Sequence, residues 1–200
     1  MVTCSRVRII CPQRTKMIVV TGAWEAISIR ITTTTNGAYL FLTTKSYLNS
    51  CFWKAGLSWI TVLKKRENYR RAFDEFDPEK IARYDQNKLQ ALARDEGIIR
   101  NRLKIASSVQ NARAFLQITN SGSFADYLWR FVDGRPKQNS WKHLSEIPAK
   151  TTESSAMSNQ LRKDGFNFVG PTICYAFMQA TGMVNDHLIT CFRHTELSDS

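Results

Sequence analysis

His187 and Cys191 stand four residues apart, a spacing that lets an imidazole nitrogen and a thiolate reach one metal ion from the same side. A closed structural zinc site needs four donors. Cys4 could add a third, and no residue supplies an evident fourth. An isolated His and Cys more often binds no metal, and a half-site that holds zinc weakly or not at all is expected. The second chemical signal is the run Gly165-Phe166-Asn167-Phe168-Val169-Gly170-Pro171, a glycine-bearing turn between two helical stretches. Such a turn can bring backbone N–H groups close to a phosphate at a helix N-terminus. Pro171 has no N–H to offer, so Thr172 and Ile173 must supply the donors. An ordinary structural helical hairpin has the same topology.

The elements that must position these residues read as helices. Trp59, Val62, Tyr69, Phe73 and Phe76 recur at three- and four-residue steps once Arg66 is allowed as a gap, which predicts one apolar helical face. Lys64, Lys65, Arg70 and Arg71 fall on other faces, where they are surface or phosphate-facing cations. Asp77-Pro78-Glu79 predicts a capped short helix through Arg83, and Asp85 caps another with Leu89 and Leu92 inward, ending near Gly97. Ile105, Val109, Ala112 and Leu116 mark a helix of about four turns. Ser123 to Asp126 starts another, with Phe124, Tyr127, Leu128 and Phe131 following. Gly134 to Lys150 reads as loop. A helix through Lys163 ends at Gly165, and Pro171 opens the next, through about Gly182. The expected fold is all-α from Ala55 to Phe192, followed by a tail over residues 193–200.

Two hundred residues suffice for one domain with a buried core. The net charge of +11 suits a polyanionic partner, because cations near phosphates release counterions. More than half of that charge, +6, lies in residues 1–54, and +5 lies in residues 55–200. Five cysteines without framework spacing, and no N-terminal apolar run long enough for a signal peptide or a membrane span, make a reducing cytoplasm the expectation.

The wording of several blocks goes further than periodicity. Ala55-Gly-Leu-Ser-Trp-Ile-Thr-Val-Leu-Lys-Lys-Arg-Glu67 is followed in order by Gly97-Ile-Ile-Arg-Asn101, Leu144-Ser-Glu-Ile-Pro148, Gly165-Phe-Asn-Phe-Val-Gly170 and Val184-Asn-Asp-His187. Over about Ala55 to Cys191 the chain resembles the bacterial DNA-3-methyladenine glycosylase I family. The resemblance implies a helix-hairpin-helix fold and hydrolytic release of 3-methyladenine from a nucleotide flipped out of alkylated double-stranded DNA. Trp59 matches the aromatic that stacks on the damaged base. Leu57 could wedge into the gap left by that base or be a buried turn leucine. Gly165, Gly170, Thr172 and Ile173 match the DNA-binding hairpin, and His187 with Cys191 matches half of a structural zinc site. No organic cofactor is implied, and a monomer is expected. The family is not a lyase, so Lys64 and Lys65 are not Schiff-base nucleophiles.

Residues 1–54 depart from this pattern. Nine threonines, the run Thr32 to Thr35 and one acidic residue, Glu25, favour extended over helical structure, and an irregular or disordered segment is expected. Back-translating Arg30 to Leu40 and dropping two bases yields His-Tyr-His-Asp-Asn-Glu-Trp-Gly-Val-Pro, the family's N-terminal motif. The same offset turns Lys45 to Lys54 into a Leu-Leu-Leu-Glu helix followed by glycine. It also turns Thr21 to Ala23 into Trp-Cys. Residues from about 21 to 54 therefore read as translated out of frame, and the family's pocket glutamate and N-terminal zinc ligands lie in the strings lost. No intact catalytic residue is then expected. The alternatives to an active glycosylase are a DNA-binding remnant without catalysis and a misfolded product.

Overall fold

The computed structural model describes residues Lys65–Ser198. The segment 1–54, together with Leu57, Trp59, Val62 and Lys64, lies outside the described residues. Within them the chain is helical: α1 (Arg66–Ala72), α2 (Pro78–Ala82), α3 (Gln86–Arg94), α4 (Arg102–Ser121), α5 (Phe124–Trp129), α6 (Thr152–Lys163), α7 (Pro171–Ala180) and α8 (Phe192–Ser198).

The starts of these helices follow the caps legible in the sequence. The Asp77 carboxylate accepts from the backbone N–H groups of Glu79 and Lys80, Asp85 from Lys88 N–H, and Ser123 from Asp126 N–H. Each side chain satisfies donors that have no partner within the helix.

Helix α4 is the central element. At 20 residues it is about 30 Å long, more than the four turns expected, and it is shared by two apolar clusters. Ile105 and Ala112 join Tyr69, Phe73, Phe76, Ile81, Leu92 and Ile98 on one side. Ala114 and Phe115 join Phe124, Leu128, Met157, Leu161, Phe166, Tyr175 and Met178 on the other. Leu116, expected inside, only packs against the second cluster's edge.

Four expectations are corrected. The helical face drawn through Phe76 stops at Ala72, because Asp74, Glu75 and Phe76 all have positive φ. Tyr69, Phe73 and Phe76 still share a cluster, but Phe76 enters it from a left-handed turn. The Tyr84 hydroxyl donates to the Asp74 carboxylate (2.5 Å) and Lys88 approaches it, which fastens that turn. The loop Gly134 to Lys150 contains a two-residue strand, β1 (Lys137–Gln138), paired in parallel with β2 (Val184–Asn185), and a 3-10 turn at Leu144–Glu146. The tail is mostly α8, tied down where Gln138 Nε2 donates to Leu197 O and His194 Nε2 meets Asn139 O at 2.7 Å. Lys65, read as a surface or phosphate-facing cation, donates from Nζ to the carbonyls of Glu96 and Gly97 and holds the end of α3 against the start of α1.

Candidate nucleic-acid interface and metal half-site

The hairpin is assembled almost entirely from contiguous residues. Helix α6 begins with a reciprocal cap, in which Thr151 accepts from Ser154 N–H and Ser154 Oγ accepts from Thr151 N–H. It ends at a turn where Gly165 has φ +93°, a conformation open to glycine at little cost. Phe166 and Val169 turn inward while Asn167 and Phe168 face out. Ser158 Oγ, fully buried, donates to Val169 O (2.6 Å), so the return of the chain is fixed from inside.

Gly170 caps α7 without a side chain, and Cys174 N–H is the first to bond along this helix, to Gly170 O (2.9 Å). The N–H groups of Thr172 and Ile173 therefore precede the helix's own ladder and are placed to receive an anion. Gly170 itself has an ordinary φ of −64°, and a Cβ there would meet only the Arg162 guanidinium, Nη2 at 3.9 Å. The protein's own packing does not require glycine at this position. The same distance puts a cation from the end of α6 beside the start of α7, where it reinforces the helix dipole.

The turn is stitched to α4 from the side. Asn111 accepts from Asn167 N–H (2.8 Å) and donates to Asn167 O (3.2 Å), and Asn167 Nδ2 donates to Gln110 Oε1 (2.6 Å). Phe168 follows with φ +59°, a left-handed conformation that costs a bulky side chain about 1–2 kcal/mol. The Lys104 ammonium lies 5.9 Å from its ring centroid. Neither Asn111 nor Lys104 is marked in the sequence, since each meets the hairpin more than fifty residues away.

The metal end is built differently. His187 Nδ1 lies 3.6 Å from Cys191 Sγ. With zinc at about 2.05 Å from nitrogen and 2.3 Å from sulfur in tetrahedral geometry, the two ligand atoms stand about 3.6 Å apart, so the pair fits two corners of such a site. Burial, with the neighbouring Arg193 guanidinium and then His194 adding to it, lowers the His187 pKa and favours the neutral imidazole a metal requires. Among the described residues no group of three or more His, Cys, Asp or Glu could hold a metal. Cys174, the other described cysteine, is buried against Val169 O, with its thiol pushed up to about 12 by desolvation.

What holds this end in shape is Asp186, which sequence reasoning passed over. Its buried carboxylate accepts four neutral donors: Asn139 Nδ2 (2.7 Å) and Trp141 Nε1 (2.8 Å) on Oδ1, Tyr175 OH (2.6 Å) and Gln179 Nε2 (2.7 Å) on Oδ2. The loop, α7 and the Val184–His187 segment thus converge on one charge. An acidic residue with no helix to cap, two positions after the apolar pair Met183-Val184, was the available signal.

Of the site residues read from the sequence, Gly165, Gly170, Thr172 and Ile173 come together in the hairpin. His187 and Cys191 come together at the metal end. Leu57 and Trp59 lie outside the described residues.

The methyladenine glycosylase family matches residues 46–194, starting upstream of Ala55 and inside the segment read as out of frame. The chain is 53% identical over 139 residues to DNA-3-methyladenine glycosylase 1 of Escherichia coli K12, covering 69% of this chain and 74% of that one. It is 49% identical over 139 residues to DNA-3-methyladenine glycosylase of Haemophilus influenzae, covering 69% and 75%. A crystal structure of 3-methyladenine DNA glycosylase I superposes with a TM-score of 0.71 at 43% identity, over 80% of this chain and 95% of that one. The Staphylococcus aureus enzyme, solved to explain 3-methyladenine recognition, gives 0.69 at 31% identity over 80% and 92%. These relatives are glycosylases, and none supports the alternative of a DNA-binding remnant without catalysis. With the hairpin in place and a match along most of its length, this chain belongs to the methyladenine glycosylase family.

Proposed function

We propose that the chain acts in base-excision repair, hydrolysing the N-glycosidic bond of 3-methyladenine in alkylated double-stranded DNA. The observation that carries this reading is the hairpin, whose Thr172 and Ile173 N–H groups, flanked by the Arg162 guanidinium, suit a backbone phosphate, in a chain whose relatives are named for this activity. The methylated base is cationic. When the C1′–N9 bond breaks, the base takes the electron pair and leaves as neutral 3-methyladenine, while water adds to C1′ and gives up a proton to solvent. The protein's task is to extrude the nucleotide and hold the base. Trp59 supplies the stacking face, and Leu57 fills the vacated stack. His187 and Cys191 hold half of a structural zinc site; bound there, zinc would pin the end of the chain and take no part in bond cleavage. The protein works as a monomer in the cytoplasm. No described helix is long and apolar enough to cross a membrane.

The test is chromatography of bases released from methylated duplex DNA. Release of 3-methyladenine that drops about ten- to a hundredfold in Trp59→Ala is expected, given roughly 1–3 kcal/mol for a stacked base. No release above the uncatalysed background would refute the reading.

A further inference from the structure

The crown of the hairpin holds an aromatic side chain that the phosphate-binding role of Thr172 and Ile173 does not use. Phe168 keeps 37% of its surface exposed and sits in a left-handed conformation. Bulky residues avoid that region unless the surroundings impose it, and such outliers gather at binding sites. Here the imposition is visible: Asn111 grips both sides of the preceding peptide, Ser158 draws in the following carbonyl, and Lys104 lies under the ring. Four and five residues further on are the N–H groups of Thr172 and Ile173. Leu103, 72% exposed, adjoins Lys104 on the first turn of α4.

Charge identifies what this face would meet. Between Gly97 and Ala125, and again between Gly165 and Asn185, the sequence contains no aspartate or glutamate. Asp164, next to the turn, is held by the Tyr127 hydroxyl (2.5 Å) and by Gln160. Arg102 on α4 and Arg162 and Lys163 at the end of α6, all exposed, therefore act without nearby carboxylates on α4 or in the turn. A face with exposed apolar groups among uncompensated cations and free amides matches a DNA strand, in which every phosphate is flanked by the apolar side of a deoxyribose.

We propose that Phe168 is a further DNA-contact residue, packing its ring on the deoxyribose next to the phosphate held by Thr172 and Ile173, with Lys104 and Asn111 positioning it. This rests on the DNA-binding reading above, and the test separates the two. Binding of the full chain to a duplex carrying a stable abasic-site analogue is measured over a range of salt concentrations. Phe168→Ala should weaken it about tenfold, as expected for loss of an apolar anchor, and leave the salt slope unchanged. Arg162→Gln should lower the slope by about one, because it removes a phosphate contact. Phe168→Leu should keep most of the affinity. Should Phe168→Ala fail to melt cooperatively, a photo-crosslinking benzoylphenylalanine in place of Phe168 should capture the duplex, and one in place of the exposed Leu144 should not. If the parent chain does not bind, the DNA reading fails and takes this inference with it. If the parent binds while Phe168→Ala binds as tightly, or the probe at 168 captures nothing, this inference alone is overturned.

Discussion

The hairpin and the metal end are both compact groups of side chains on α6, α7 and the segments beside them, yet they differ in completeness. The hairpin's donors, its glycine and its flanking cation all lie within Arg162 to Ile173, and its outside supports, Lys104, Gln110 and Asn111, are all on the packed helix α4. The metal end has a rigid frame centred on Asp186, but among the described residues it offers two ligands of the four that zinc needs. A site made from contiguous residues forms whenever its local fold forms. A site divided between the two ends of a chain depends on both.

The sharpest way to break this comparison is to change the distant end. We propose that residues from about 21 to 54 are the out-of-frame segment, into whose last nine residues the family match extends. Recoding them in the shifted frame, with the residues needed before Ala55 restored, should bring zinc content to about one per chain by elemental analysis. It should also raise base release about ten- to a hundredfold, since a charge-assisted hydrogen bond contributes roughly 1.5–3 kcal/mol. Equal zinc content and equal release in both chains would remove the division.

Next in size is Asp186→Ala, which leaves four donors, the buried Tyr175 hydroxyl and three half-buried N–H groups, without their acceptor. A loss of about 3–5 kcal/mol is expected, seen as a melting temperature lower by roughly 6–20 °C. If DNA affinity below the melt falls in parallel, the metal end and the hairpin are one unit rather than two.

Within the hairpin the two glycines should separate. Gly165→Val must adopt φ +93° and should cost about 2 kcal/mol in a thermal melt. Gly170→Val has room and an accessible φ, so the melt should hardly move, while DNA binding weakens because the branched side chain obstructs the approach of a phosphate. Unchanged binding by Gly170→Val would take the start of α7 out of the interface.

The smallest effect concerns Glu153 in the first turn of α6. The side-chain hydrogen bond from Lys137, which ties β1 to α6, holds its pKa below the ordinary 4.5. A depressed carboxylate contributes stability above its unfolded pKa and loses it as pH falls through the lower folded value. Glu153→Gln should therefore flatten the decline of melting temperature below about pH 4.5; an identical acid limb would mean the pair is spent in solvent screening.

Much of the helical order was legible because it depends on neighbours in sequence. Asp77, Asp85 and Ser123 cap the next turn, Pro171 opens α7, and Gly165 ends the hairpin's first helix, all through interactions spanning two to four residues. The same locality made the hairpin readable as a phosphate site. Tertiary structure alone decided that Phe76 reaches the core through a left-handed turn and that residues 193–198 form a docked helix rather than a tail. It also decided that Asp186 is a buried hub and that Asn111 and Lys104 serve a turn more than fifty residues away. Periodicity encodes which side of a segment is apolar, whereas a buried carboxylate or a strained turn is fixed by partners that only folding brings within hydrogen-bonding distance.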